Sequence, residues 1–134
     1  LQKLSHVFKE NKIKNIKLPV SAPFHSSLMK KATEIMTKEL QKLNFKNGNN
    51  VLISNITADE VFNASEIKDL LKKQIENRVR WRESIINMIN KGVNEFIEIG
   101  PGKILSGLVK RINKEVVVNS INNEEDIKKI LKYE

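Results

Sequence analysis

The chain contains no cysteine, which excludes disulfides, thiolate metal sites and a cysteine nucleophile. Five glycines and three prolines in 134 residues are too few for a loop-dominated chain, so regular structure should prevail. No apolar run approaches the roughly 20 residues of a membrane-spanning helix. The first ten residues are polar and helical in pattern, unlike a signal peptide. The chain also does not open on methionine, which suggests an excised or trimmed piece. No serine sits in a Gly-x-Ser-x-Gly elbow, and no P-loop or dinucleotide fingerprint is present. Metal-ligand spacings and paired carboxylates are missing as well, and neither His6 nor His25 has a convergent acidic partner.

What remains is one domain's worth of soluble chain, 40% hydrophobic and 30% charged. The net charge of +8 raises nucleic acid as a partner. The excess is carried by lysine, with four arginines in all, and aromatic residues are 5%. Nucleic-acid surfaces favour arginine forks and stacking rings, so the expectation is no nucleic acid and no membrane.

The chain is organised around Pro19–Met29, Pro-Val-Ser-Ala-Pro-Phe-His-Ser-Ser-Leu-Met. Ile13, Ile16, Leu18 and Val20 form an extended run that turns at Pro23 and presents His25. Lys12 and Lys14 share one strand face and Lys17 the other; they are either a solvated edge or a docking patch for an acidic partner. From Ser26 or Ser27, either of which suits an N-cap, Leu28, Ala32, Ile35, Met36, Leu40 and Leu43 repeat at helical spacing. That helix would aim its positive end near the imidazole and help keep it neutral.

Further along, Val51–Ile53 reads as a strand ending in Ser54–Ala58. Asn63-Ala-Ser-Glu66 has capping-box spacing and opens a helix that reaches Gln74. A helix over Trp81–Asn90, a strand over Phe96–Ile99, a Gly100-Pro-Gly102 turn and a helix from Ile104 to Ile112 follow. Lys103, at that helix start, is placed to meet an anion. A strand at Val116–Val118 and a helix over Glu124–Lys132 close the chain. The alternation predicts an α/β fold with a largely parallel sheet.

Four blocks carry a resemblance: Pro19–Met29, Ile53–Ala58, Gln74 with Val79-Arg-Trp81 and Ser84, and Phe96–Ile112. Together they resemble the C-terminal portion of the malonyl-CoA:acyl-carrier-protein transacylase family. The resemblance implies an acyltransferase with a three-layer, hydrolase-like α/β core over residues 19–134. Residues 1–18 would be the end of an inserted ferredoxin-like subdomain. It implies a ping-pong transfer of malonyl from malonyl-CoA to acyl carrier protein in type II fatty acid synthesis. His25 matches the family's histidine base, and Gln74 the glutamine whose backbone carbonyl orients it. The serine nucleophile belongs to an N-terminal part of the enzyme, so this chain alone is expected to be inactive.

Lys12, Lys14 and Lys17 are then candidates for carrier-protein docking, and Phe24 for excluding branched acyl groups. The resemblance implies no metal and no cofactor, coenzyme A thioester and carrier protein being substrates. It implies a cytoplasmic setting, or a plastid-type organelle in a eukaryote. Two departures stand out: Arg78 replaces the family's usual proline before Val-Arg-Trp, and Asn47–Asn50 replaces a proline-containing loop. The alternatives are a non-catalytic fragment that binds carrier protein, or a piece of a polyketide-type acyltransferase domain.

Overall fold

A computed structural model describes residues 2–16 and 20–131. The order is α1 (Gln2–Glu10), α2 (Lys30–Gln41), β1 (Leu52–Ile53), β2 (Glu60–Val61), α3 (Ala64–Gln74), α4 (Trp81–Asn90), β3 (Glu95–Ile99), α5 (Ile104–Ile112), β4 (Val117–Ile121) and α6 (Glu124–Leu131). β3 and β4 pair in parallel, Glu95 opposite Val117 through Ile99 opposite Ile121, with α5 as the crossover. β1 and β2 pair antiparallel. The described part is therefore a mixed α/β structure with one parallel and one antiparallel pair.

The core gathers where helices cover the parallel pair. Ile85 of α4 is 1% exposed and packs with Val109 of α5 and Val116. Trp81, Met88, Phe96, Ile112 and Val118 surround them. The helical and strand periods read from the sequence put these side chains on facing surfaces.

Glu98 ties three elements together. Alternation along β3 puts it on the same strand face as Phe96, which packs on that core. Its carboxylate accepts the Leu105 N–H at 3.1 Å, the Ser106 N–H at 2.7 Å and the Ser106 hydroxyl at 2.6 Å. Ser106 Oγ lies 3.0 Å from Ser120 Oγ on β4. The Ser106 hydroxyl and then its N–H hold the Glu98 carboxyl below its ordinary value, against the opposing pull of burial. An anion does sit at the start of α5, and it is the chain's own Glu98. The turn between strand and helix needs glycine at Gly102, where φ is +97° and the N–H donates to Asn122 Oδ1.

Helix starts differ in detail from the expectation. Asn63 Oδ1 does accept the Ser65 N–H at 2.9 Å, but a reciprocal pair of bonds like that of a capping box, shifted by one residue, forms at α6. There Asn123 Oδ1 accepts from Asp126 N and Asp126 Oδ2 from Asn122 N, each at 3.0 Å. Neither Ser26 nor Ser27 caps α2. Ser26 Oγ donates to the Pro23 carbonyl instead, and a 3-10 turn over Ser27–Met29 precedes Lys30. α2 therefore begins further from His25 than the periodicity suggested.

Two strand readings change as well. Residues 13–16 enter no β-ladder and form no strand among the described residues. Lys12 is the left-handed residue that ends α1, with φ +56° and Ile13 N donating to Phe8 O. It shares no strand face with Lys14. β2 was not expected, because a strand of two residues carries no period to read.

Candidate functional site

His25 sits in the turn between Pro23 and the 3-10 segment. Ser26 Oγ closes that turn on the Pro23 carbonyl at 2.8 Å, and Met29 N donates to Ser26 O at 3.0 Å. The His25 backbone has φ +59°. Non-glycine residues held there cost on the order of 1–3 kcal/mol and concentrate where geometry serves function.

The ring is exposed, and its Nδ1 lies 2.9 Å from the backbone oxygen of Gln74. A carbonyl only accepts, so Nδ1 must carry the proton in that bond. In the neutral ring this leaves the Nε2 lone pair free for a proton from elsewhere. Gln74 can offer its carbonyl because it ends α3. Ile75 N donates to Lys72 O, and Glu76 and Asn77 N both donate to Lys73 O. None of the three takes Gln74 O.

The segment after Gln74 is pinned to the β1–β2 turn. Arg80 N donates to Asn55 O at 2.8 Å and Arg80 Nη1 to Thr57 O at 2.9 Å. Asn87 Nδ2 donates to the carbonyl of Ala58 at 2.8 Å, and buried Ala58 is itself left-handed at φ +60°. A cleft of about 300 Å³ beside Gln74 is lined by Ile53, Asn55, Ile67, Leu70 and Leu71. A wider cleft of about 590 Å³ lies between the parallel strands and α6, among Ile97, Asn119, Asp126 and Lys129. Neither His25 nor Gln74 lines it.

The other candidate residues fall as follows. Phe24, beside the histidine, is 57% exposed. Lys12 and Lys14 are exposed, and Lys17 lies outside the described residues. His6 does have an acidic neighbour, Glu10 one helical turn on, with Nε2 to Oε1 at 3.3 Å. No cluster of three or more His, Cys, Asp or Glu occurs among the described residues. Sequence reasoning missed Glu98 and the pairing of Arg78 with Glu83. The β3 alternation held a signal for the first, since it puts a charged residue on the core-facing side.

The described residues thus hold a helix-covered parallel pair and a histidine turn tethered to the end of α3. A crystal structure of acyl-carrier-protein-S-malonyltransferase from Bartonella henselae superposes with TM-score 0.87 at 37% identity, over 98% of this chain and 42% of that one. The malonyl CoA-acyl carrier protein transacylase of Bacillus subtilis is 44% identical over 124 residues, 92% of this chain and 39% of the relative. The chain belongs to this transacylase family and matches its C-terminal portion. It spans about two fifths of the length of these relatives. No family model matches it. A further neighbour, at TM-score 0.86 and 28% identity over 99% of this chain and 43% of that one, is a malonyl-transacylase in complex with a type II PKS acyl-carrier protein.

Proposed function

We propose that this chain supplies the histidine base of a malonyl-CoA:acyl-carrier-protein transacylase whose serine nucleophile lies in the remaining part of the enzyme. The observation that carries the reading is the 2.9 Å contact of His25 Nδ1 with Gln74 O, since it leaves Nε2 to act. In the first half-reaction Nε2 takes the serine proton as the oxygen attacks the malonyl thioester, and returns it to the departing CoA thiolate. In the second, Nε2 takes the proton of the carrier's phosphopantetheine thiol as its sulfur attacks the acyl-serine, and returns that proton to the departing serine oxygen. A neutral carbonyl stabilises the imidazolium less than a carboxylate would. That suits reversible exchange between two thioesters of similar energy. No metal or cofactor enters these steps.

The same reading completes the fold to a three-layer, hydrolase-like core with a largely parallel sheet, residues 19–134 within it. Residues 1–18 close a ferredoxin-like subdomain. The parallel β3–β4 pair and the exposure of Ile99 at 79% and Leu28 at 78% support a layer that continues into further chain. The setting is cytoplasmic, or plastid-type in a eukaryote. No described helix is long and apolar enough to cross a membrane. A second destination for the malonyl group, a polyketide carrier, is favoured by the neighbour in complex with a type II PKS acyl-carrier protein.

The test is transfer of labelled malonyl from malonyl-CoA to carrier protein by the enzyme that holds this segment; absence of transfer overturns the reading. Lys12, Lys14 and Lys17 form the docking edge for the acidic carrier in this reading. Replacing all three by glutamate should raise the apparent KM for carrier protein several-fold, with the difference shrinking as salt rises. The KM for malonyl-CoA should stay unchanged. An unaltered carrier KM sinks the docking role.

Phe24 is proposed to crowd an α-methyl beside the base. One methyl discriminates by about 1–3 kcal/mol, so methylmalonyl-CoA should turn over roughly 10- to 200-fold more slowly. Equal rates for the two thioesters would remove Phe24 from the site.

A further inference from the structure

The Gln74 carbonyl has two suitors. In a continuing α-helix it would accept the N–H four residues on, that of Arg78. Arg78 carries an N–H, and it donates to no carbonyl among the described residues. One more turn of α3 would bring that N–H onto Gln74 O, where it would compete with His25 for the oxygen and re-aim its remaining lone pair.

The Arg78 side chain is anchored at the start of α4. Its guanidinium pairs with the Glu83 carboxylate, and Arg80 Nε lies 3.6 Å from the same oxygen. Glu83 occupies the third position of α4, where the helix's positive end favours a carboxylate. Its own N–H, then Arg78 and Arg80, hold its carboxyl below the ordinary value, against the opposing pull of burial. Arg80 is fixed independently through Asn55 and Thr57. The ion pair therefore spans from a fixed helix start to the one residue whose N–H competes for Gln74 O.

We propose that Glu83, acting through Arg78, is a positioning residue that keeps the Arg78 N–H off Gln74 O and reserves that carbonyl for His25. The proposal rests on the reading of His25 as the base. An exposed ion pair is a small term, and so is one added helical residue. Loss of the first is enough to move the balance.

The test uses the intact enzyme and two readouts. Amide hydrogen exchange at Arg78 should be fast in the unaltered enzyme and slowed severalfold in Glu83→Gln, as the N–H finds Gln74 O. In parallel, kcat/KM for malonyl transfer should fall by about two- to five-fold. In an Arg78→Pro background there is no N–H to compete, so adding Glu83→Gln should leave the rate of that background unchanged. Equal losses in both backgrounds would make Glu83 a mere helix cap and overturn the proposal. Unchanged Arg78 exchange in Glu83→Gln would overturn it too, and that readout decides alone where the proline variant does not fold. Exchange needs no turnover, so a failure of the base reading, seen as full transfer by a His25 variant, is told apart from a failure of this one.

Discussion

Replacing His25 by asparagine in the enzyme that carries this chain is expected to lower the malonyl transfer rate by roughly 10²–10⁴-fold. That is about 3–5 kcal/mol of transition-state stabilisation, the range expected when a positioned proton acceptor is removed. Asparagine is the better probe than alanine because His25 sits at φ +59°, where asparagine is tolerated and alanine is strained. Alanine should give the same loss of rate plus a loss of stability. The difference between the two variants isolates the backbone cost from the chemistry. Single-turnover transfer from labelled malonyl-CoA, with thermal unfolding of each variant, measures both. An asparagine variant within about threefold of the unaltered rate, far outside the general-base range, would take His25 out of the reaction.

The parts of this molecule that periodicity encodes were legible in the sequence. α3, α4, α5 and the β3 strand lie within a residue or two of where the apolar spacing put them. Their facing stripes meet at Ile85, Val109 and Val116. The contact between His25 and Gln74 spans 49 positions, and no local pattern could have paired them; a family resemblance did. What stayed hidden was decided by single polar side chains. Ser26 turns back to Pro23 in place of capping α2, because a short hydroxyl has several backbone partners within reach. The alternation along β3 puts Glu98 on the core-facing side, but its partners Leu105 and Ser106 become evident only once α5 is in place. The α2 stripe was legible as apolar but not as core: Leu40 is 7% exposed while Ile35 and Leu43 stay above half. A stripe tells which face is apolar, and not which segment of chain covers it.

The chain by itself is expected to acquire no malonyl group from malonyl-CoA, and the state of its serines is the reason. A serine oxygen becomes a nucleophile here only if Nε2 of His25 reaches its proton. Among the described residues the one hydrogen bond of the His25 ring goes to Gln74 O. Ser106 is committed to Glu98 and Ser120, Ser84 is 3% exposed and donates to Arg80 O, and Ser65 Oγ donates to Asn63. Ser54 is buried, with its oxygen accepting the Ile56 N–H. Ser5 donates to Asn15 and Ser26 to Pro23. Ser21 and Ser27 are exposed and form no side-chain hydrogen bond among the described residues, but neither is bonded to the His25 ring, so no described serine is both free and paired with the base. Incubation with labelled malonyl-CoA followed by intact-mass analysis should show the unmodified chain alone, and an adduct on any serine would contradict the division of labour proposed here. Adding the complementary portion of the enzyme should restore labelling, on a serine of that portion. Apolar side chains as exposed as Leu28, Ile99 and Ile104 make such reassembly favourable, because each buried methylene contributes about 0.8 kcal/mol. The same surface predicts that the isolated chain self-associates as its concentration rises. Labelling that stays absent after the complementary portion has bound would mean that His25 serves no serine there.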